Sequence, residues 1–342
     1  MTVPQDTPVD ENHVPAEDLL ATYGQPAVTE DPVAVVRKKQ EFKAWHHPVK
    51  QIVRTRQWAV LTKRLIADRP IASPVLRYFT LPGPDLLDVR VLAEACAPLN
   101  VKIEYFGFDL GSDPEDEMAV GVSFSKGEWI TAESALRQAG RITEDAIIYP
   151  DRLEDIAIEQ SQASEKLKHR GTFDIVNIDA CDHLAYRPVG RTLNTFDALC
   201  TLLSHQMLAR SQWLLFITTR VEPGLLGDPG LAFQRAISEN LSLAEDTFGT
   251  ALADCIEADR LKLATALTSV WATHDFNFLK LYSIGLGKFL LQFFHGQPNL
   301  PANVELASAY AYRVHHDQPD MLALAFRVTP GRPRAFRPGT HR

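Results

Sequence analysis

Four aspartates and one glycine follow short apolar runs of the chain, where a folded protein could use them to bind a polar ligand. They are Gly83, Asp109, Asp151, Asp179 and Asp182. A carboxylate at the end of a strand can accept two hydroxyl hydrogen bonds in charge-assisted geometry. A glycine turn lets backbone N–H groups approach a ligand closely. These residues are therefore the first candidates for a binding site.

The closely spaced pair Asp179 and Asp182 has a further chemical possibility. Either carboxylate could orient an attacking nucleophile or accept its proton. A structural role is the alternative. One aspartate could cap the following helix, or pair with Arg187 or Arg191.

The elements that must position these residues alternate along the chain. Apolar or aromatic runs predict strands at residues 75–81, 102–110, 146–149, 173–178 and 213–219. Helical patterns lie between them at residues 85–98, 133–141, 152–170 and 192–209. Continuous apolar strands separated by helices indicate an α/β fold with a doubly wound, mostly parallel sheet, whose ligands gather at the carboxyl ends of the strands.

The rest of the predicted Rossmann-like domain, residues 71–330, adds two features. Residues 225–298 are almost purely helical and form an insertion. Residues 304–314 and 321–328 are strand-like runs separated by a connection of hairpin length. We therefore predict a C-terminal antiparallel hairpin that closes the parallel sheet.

Charge is strongly segregated along the chain. Residues 1–32 carry seven acids and no Lys or Arg, which predicts a disordered acidic tail. Residues 33–69 carry ten Lys or Arg and two acids, the central residues 70–330 sum to −13, and residues 331–342 form a short basic tail.

The basic segment supports two interpretations. A basic helical arm over residues 33–70 could bind the phosphates of a nucleic acid through Lys50, Arg54 and Arg56. Alternatively, the segment is an amphipathic helix pair that packs on the acidic body. In both cases Pro48 should divide the segment into two helices.

Composition excludes several classes of protein. The chain has 342 residues, 45% of them hydrophobic, enough for a large core. No apolar stretch approaches the ~20 residues of a membrane-spanning helix, and the acidic amino terminus does not resemble a signal peptide, so we expect a cytoplasmic protein without membrane contact. Scattered cysteines and adjacent histidine pairs predict no metal site, the residues being Cys96, Cys181, Cys200, Cys255, His46, His47, His315 and His316.

The order of the elements resembles the class I S-adenosylmethionine-dependent methyltransferase superfamily, whose parallel sheet also ends in a reversed hairpin. The resemblance covers residues 74–330 and depends more on layout than on identical residues. It implies S-adenosylmethionine as the cofactor. In that superfamily the loop after the first strand holds the methionine part, which corresponds here to Thr80 and Gly83. The acid that closes the second strand holds the ribose hydroxyls, which corresponds to Asp109.

The resemblance implies roles for the later strand ends as well. Asp151 occupies the position from which the adenine amine is read. Asn177 and Asp179 belong to the motif after the fourth strand, which faces the reacting group. The glycine run expected after the first strand is reduced here to Gly83 between two prolines. The site is therefore either a divergent cofactor site or a scaffold that has lost its cofactor.

Two functions follow from these interpretations. The first is a divergent methyltransferase that acts on a nucleic acid or another macromolecule, with residues 33–69 on phosphates and residues 225–298 on the substrate. The second is a catalytically inactive interaction subunit of a bacterial multi-protein system, such as a defence system, that binds protein partners through residues 225–298. A nicotinamide-dependent dehydrogenase is a weaker third interpretation, because it does not explain the closing hairpin.

Overall fold

The computed structural model describes residues 48–69, 73–83, 85–109, 129–180, 182–243, 246–296 and 301–331. The predicted acidic tail, the first part of the basic segment and residues 332–342 lie outside the described residues. All of the described residues belong to one unit of the chain, Phe42–Arg342.

The described strands form one seven-stranded sheet, and in chain order they are β1 (Val75–Thr80), β2 (Lys102–Phe108), β3 (Ile147–Tyr149), β4 (Ile175–Asp179), β5 (Trp213–Arg220), β6 (Ala302–Tyr312) and β7 (Met321–Pro330). Their order across the sheet is β3-β2-β1-β4-β5-β7-β6. Strands β1 to β5 are parallel, and β7 is antiparallel to β5 and β6. The predicted α/β fold, with a mostly parallel sheet and a C-terminal antiparallel hairpin, is confirmed.

The burial of each strand explains its sequence. Strands β4 and β5 lie in the middle of the sheet and are buried almost throughout, as their continuous apolar residues predict. Strand β6 lies at the edge, and most of its residues are exposed or half-buried. A bulge between Leu306 and Ser308 interrupts its pairing with β7, a feature typical of edge strands.

Helices cover both faces of this sheet. In chain order they are α1 (Pro48–Ile52), a π-helical segment (Val53–Trp58), α2 (Ala59–Ala67), α3 (Leu87–Cys96), α4 (Trp129–Gln138), α5 (Gln162–Lys168), α6 (Thr195–Gln206), α7 (Gly227–Leu243), α8 (Thr247–Cys255), α9 (Leu263–Ala272) and α10 (Phe276–His295). Helices α1 to α4 pack on one face, and α5, α6 and α10 pack on the other. Helices α7 to α9 pack with α10 around a smaller core in the predicted insertion.

The first three helical segments are continuous, and we call them together the N-terminal helix. It is held on the sheet by Trp58, whose ring stacks on Phe216 with a centroid separation of 5.9 Å. The Gln57 side-chain amide also donates a hydrogen bond of 3.0 Å to the carbonyl of Ala323 in β7. Residues 48–67 of the basic segment thus form one continuous helix that packs on the sheet. Pro48 is the first residue of α1, a position that tolerates proline.

Two predicted helices differ from the observed ones because local side chains set their ends. The single helix predicted over residues 152–170 is a 3₁₀ turn (Leu153–Ala157) followed by α5. The Ser161 hydroxyl accepts a hydrogen bond from the Ser164 N–H and starts α5 there. Asn194 and Asp197 form a capping box that starts α6 at Thr195 rather than at residue 192.

Among the described helices, none combines the length and the apolar character that crossing a bilayer requires.

Candidate functional site

The carboxyl ends of the parallel strands lie side by side, and we call this the carboxyl edge of the sheet. Thr80 of β1 is in register with Gly107 of β2, and Phe108 of β2 with Tyr149 of β3. The chain runs outwards from β1 to β3 and then returns to place β4 beside β1, so the switch point of the sheet lies between β1 and β4. Ligands of doubly wound sheets bind in the crevice at such a switch point. The loops after β1, β2, β3 and β4, which carry the predicted site residues, therefore share one edge.

A buried ion pair at the carboxyl edge joins the N-terminal helix to β4. The Lys50 Nζ lies 2.8 Å from the Asp179 Oδ1, and the two side chains are only 5% and 11% exposed. Lys50, predicted to face a phosphate, thus reaches the aspartate predicted to face a cofactor. The sequence pattern did not indicate this pairing, because the two residues lie on different elements that only the folded chain brings together.

The N-terminal helix separates the three cations predicted to bind nucleic acid. Lys50 and Arg54 are buried on its inner face, whereas Arg56 is exposed on its outer face. The exposed side chains of Lys63 and Arg64 follow on the same helix. Lys50, Arg54 and Trp58 are spaced four residues apart, so they lie on one face of a helix. This spacing from a large aromatic residue was the signal in the sequence that the two cations face inward.

Thr80 and Asn177 take part in a buried hydrogen-bond network. The hydroxyls of Thr80 and Tyr78 donate to the Asp88 Oδ2 at 2.5 and 2.7 Å. The Asn177 side-chain amide donates to the Tyr78 hydroxyl at 2.7 Å. Burial, followed by the charge of Asp88, raises the pKa of Tyr78, so its hydroxyl keeps the proton that it donates. These side chains link β1, β4 and the start of α3, and both predicted cofactor contacts are engaged within the protein.

The loop after β1 turns back onto β2. A Cβ atom added to Gly107 would lie 2.9 Å from the Pro82 Cδ and 3.0 Å from the Thr80 carbonyl oxygen, so only glycine permits this approach. At Gly83 the added atom would have no neighbour within 4 Å among the described residues. The loop thus packs against the sheet on one side and leaves open space beside Gly83.

Asp109 and Asp151 lie at neighbouring strand ends. The Asp109 N–H donates to the Tyr149 carbonyl at 3.1 Å, which fixes its backbone beside β3, and its side chain is half-buried. The Asp151 Oδ2 lies 2.6 Å from the Lys166 Nζ of α5. That ammonium group also lies 4.1 Å from the centre of the Tyr149 ring. A second Lys–Asp pair, next to an aromatic ring, therefore stands at the β3 end of the carboxyl edge.

The loop after β4 carries a histidine that the sequence analysis missed. The Asp182 Oδ1 accepts the His183 backbone N–H at 2.8 Å and lies 3.7 Å from the His183 Nε2. The His183 Nδ1 is buried and has no hydrogen-bond partner among the described residues. Burial lowers the pKa of His183, and the nearby Arg220 lowers it further, while Asp182 and Glu222 oppose the shift. The imidazole is therefore neutral at pH 7. In the sequence, the position of His183 directly after Asp182 was the signal that could have identified it as a site residue.

The structural roles considered for Asp182 were capping of the next helix and pairing with Arg187 or Arg191. Other residues fill these roles in the structure. Helix α6 is capped by Asn194, while Arg187 lies 3.7 Å from Asp228 and Arg191 lies 3.1 Å from Asp155. The Asp182 backbone carbonyl instead accepts the Arg220 N–H at 3.2 Å. The loop after β4 is thereby tied to the end of β5.

One group of potential metal ligands lies at the end of β5. Oxygen or nitrogen atoms of Glu222, His316 and Asp320 lie within 4.8 Å of one another. Both Asp320 oxygens, however, accept backbone N–H groups of the hairpin loop at 2.7 Å. The Glu222 Oε1 accepts from the Arg220 Nε at 2.6 Å and lies 3.1 Å from the His316 Nε2. Since a guanidinium already neutralises the glutamate, these contacts explain the group without a metal ion.

Comparisons with known proteins give one family and a fold. The sequence model of the PP_RS20740-like family matches residues 39–340, and the chain belongs to this family. No match was found among curated protein sequences. The observed strand order, with five parallel strands followed by an antiparallel hairpin, is the layout that the sequence analysis predicted.

Two solved structures illustrate how distant the similar proteins are. Trm5b from Pyrococcus abyssi is 10% identical, with a TM-score of 0.33, over 81% of this chain and 49% of that chain. TYW2 from P. horikoshii, in complex with MeSAdo, is 10% identical, with a TM-score of 0.31, over 78% of this chain and 61% of that chain. This chain thus spans from about half to three fifths of the length of these structures.

The two glycines of the loop allow a matched test of its packing. We expect Gly107→Ala to lower the free energy of unfolding by about 1–3 kcal/mol, because its Cβ would overlap Pro82. Gly83→Ala should change it by less than about 0.5 kcal/mol, because the new methyl group enters open space. Urea unfolding of both variants measures this difference, and equal losses would contradict the described loop.

The lowered pKa of His183 predicts a pH dependence of stability. The unfolded chain binds a proton near the ordinary histidine pKa, about 6.5, before the folded chain does, so stability should fall as the pH drops through this value. His183→Gln should reduce that fall. Urea unfolding between pH 7.5 and 5.5 measures it, with His205→Gln for comparison, since burial also lowers the pKa of His205. An unchanged pH dependence in His183→Gln would show that the imidazole titrates normally.

Proposed function

We propose that this PP_RS20740-like protein binds S-adenosylmethionine at the carboxyl edge and transfers its methyl group to a nucleic acid. One observation carries the proposal: the Gly83 loop, Asp109, Asp151 and Asp179 all lie at the carboxyl edge of the sheet, around its switch point. Each of these residues follows a parallel strand at the same edge.

The residues at the β2 and β3 ends fit the adenosine part of this cofactor. Asp109 is half-buried, with its backbone fixed beside β3, and a carboxylate in this position can accept both ribose hydroxyls. Tyr149 offers an aromatic ring, and Asp151 is held next to it by Lys166. No described residue fills the space beside Gly83, where a ligand could lie against the loop. When bound, the cofactor would supply an electrophilic methyl group.

The loop after β4 supplies the residues that would serve the nucleophile. Asp179 is engaged by Lys50, whereas the Asp182 side chain is 41% exposed. We assign Asp182 to orienting His183 and the neutral imidazole to receiving the proton that the nucleophile loses. Asp179 then has an electrostatic role rather than a role in proton transfer.

A nucleic-acid substrate is supported by the outer face of the N-terminal helix. Arg56, Lys63 and Arg64 are exposed there, and none has an ion pair within the described ranges. Cations spaced along one helix face can contact successive phosphates. Because Lys50 and Arg54 are buried, they cannot contact phosphates from the outer face. We therefore propose Lys63 and Arg64 in their place, together with Arg56.

A second candidate, the inactive interaction subunit, is favoured by the surface of the insertion. Leu243 and Leu261 are 84% and 94% exposed, and Leu231 and Phe276 are each 61% exposed. Helix α9 contains no charged residue. Four large exposed apolar side chains and an uncharged helix within one segment of the chain favour a protein-binding surface. Under this alternative the carboxyl edge would bind no cofactor.

Cofactor binding separates the two candidates. Calorimetric titration should show that the wild-type protein binds S-adenosylhomocysteine, and that Asp109→Ala weakens binding about 10- to 100-fold through the loss of charged hydrogen bonds. Asp254→Ala, which removes an exposed aspartate from α8, is the matched control and should bind normally. No heat at millimolar ligand would reject the methyltransferase and leave the interaction subunit.

Nucleic-acid binding has its own test. Fluorescence anisotropy with single-stranded and duplex DNA and RNA should show binding that weakens steeply as salt increases. Reversal of Arg56, Lys63 and Arg64 to Glu should lower affinity and reduce the logarithmic salt slope by about 2–3. Reversal of Arg210, Arg235 and Lys262, equally exposed cations elsewhere, should have little effect. Similar losses in the two triple variants would reject a specific interface on the N-terminal helix.

A further inference from the structure

We propose that Lys50 and Asp179 together recognise the amino-acid end of the cofactor, an inference that rests on the proposed S-adenosylmethionine site. The amino-acid end carries an ammonium and a carboxylate on the same carbon. The pair offers one charge of each sign, 2.8 Å apart, at the carboxyl edge. A ligand with two opposite charges can therefore bind the aspartate through its ammonium and the lysine through its carboxylate.

Burial of the pair is the first argument. Both side chains are nearly excluded from water, and removing two charges from water costs more than a simple ion pair usually returns. Such a pair is weak evidence for a role in stability alone. A role in binding explains why the charges are placed here, at the end of β4 and next to the switch point.

Unsatisfied polar atoms beside the pair are the second argument. Thr218 is in register with Asp179 on the neighbouring strand, and Asn177 precedes it by two residues, so all three face the same side of the sheet. The Thr218 Oγ1 and the Asn177 Oδ1 are fully buried and have no hydrogen-bond partner among the described residues. These two oxygens lie on the same side of the sheet as Asp179, and the ammonium group of a ligand bound there could donate hydrogen bonds to them.

The composition of the loop after β1 is the third argument. Pro82 and Pro84 on either side of Gly83 have no N–H to donate, so this loop offers a carboxylate few hydrogen bonds. Lys50 supplies a positive charge at the same edge of the sheet. The N-terminal helix thereby compensates for the glycines that the loop lacks.

The pair at the other end of the site provides a matched comparison. Lys166 and Asp151 lie 2.6 Å apart, but beside the Tyr149 ring and 19–25% exposed. If both pairs served only to hold the fold together, removing either lysine would affect all ligands alike. If each pair contacts a different part of the cofactor, ligands that lack one part should distinguish them.

The experiment compares two ligands, S-adenosylhomocysteine and 5′-methylthioadenosine, which keeps the adenosine and the sulfur but has no amino-acid group. In calorimetric titrations Lys50→Met should weaken binding of S-adenosylhomocysteine at least about tenfold, the loss of one charged hydrogen bond, and leave 5′-methylthioadenosine within about twofold. Lys166→Met should change both affinities by the same factor.

A double variant guards against a folding defect. Lys50→Met leaves Asp179 buried without its partner, so Lys50→Met combined with Asp179→Asn removes both charges at once. Thermal unfolding confirms that the double variant is folded, and it should show the same selective loss of S-adenosylhomocysteine. Equal losses of both ligands, or no loss of either, would overturn this inference while the cofactor site stands. A wild-type protein that binds neither ligand would instead overturn the proposed function and this inference with it.

Discussion

The docking of the N-terminal helix across the sheet is the constraint on which the rest of the site depends. Trp58 and Gln57 hold the middle of this helix on β5 and β7, and its first turn then delivers Lys50 to Asp179. The π-helical segment contains Gln57 and Trp58 and directly follows the turn that carries Lys50, and π-helical turns are frequent at functional sites. The N-terminal helix, which the sequence shows only as part of the basic segment, thus contributes a side chain to the carboxyl edge.

Two kinds of polar side chain coexist beneath this helix. Tyr78, Thr80 and Asp88 form a closed network in which each hydroxyl has a partner, and the network stiffens β1 against α3. Asn177 belongs to the same network through its amide nitrogen, yet its oxygen has no partner among the described residues. Asn177 therefore contributes to the scaffold through its nitrogen, while its oxygen stays available to the ligand that we propose.

The carboxyl edge is also divided electrostatically. Each end has one Lys–Asp pair, Lys50 with Asp179 and Lys166 with Asp151, so neither aspartate adds an uncompensated charge. The neutral His183 lies in the loop after β4, next to the end of β5. A cofactor with both charged and aromatic parts suits such an edge better than a purely anionic ligand does. The exposed apolar side chains of the insertion take no part in this division of charge.

The sequence alone determined the fold, because the continuous apolar runs of β4 and β5 and the hairpin at β6 and β7 are local patterns that burial requires. It also determined that Asp109, Asp151 and Asp179 would share one edge, since parallel strands place their carboxyl ends together. The partner of each side chain was decided only by the tertiary structure. Lys50 is as basic as Arg56 in the sequence, but one meets a buried carboxylate and the other faces solvent. That difference depends on how the N-terminal helix is rotated on the sheet. The rotation is set by the contacts of Trp58 with Phe216 and of Gln57 with Ala323, which are distant from the helix in sequence.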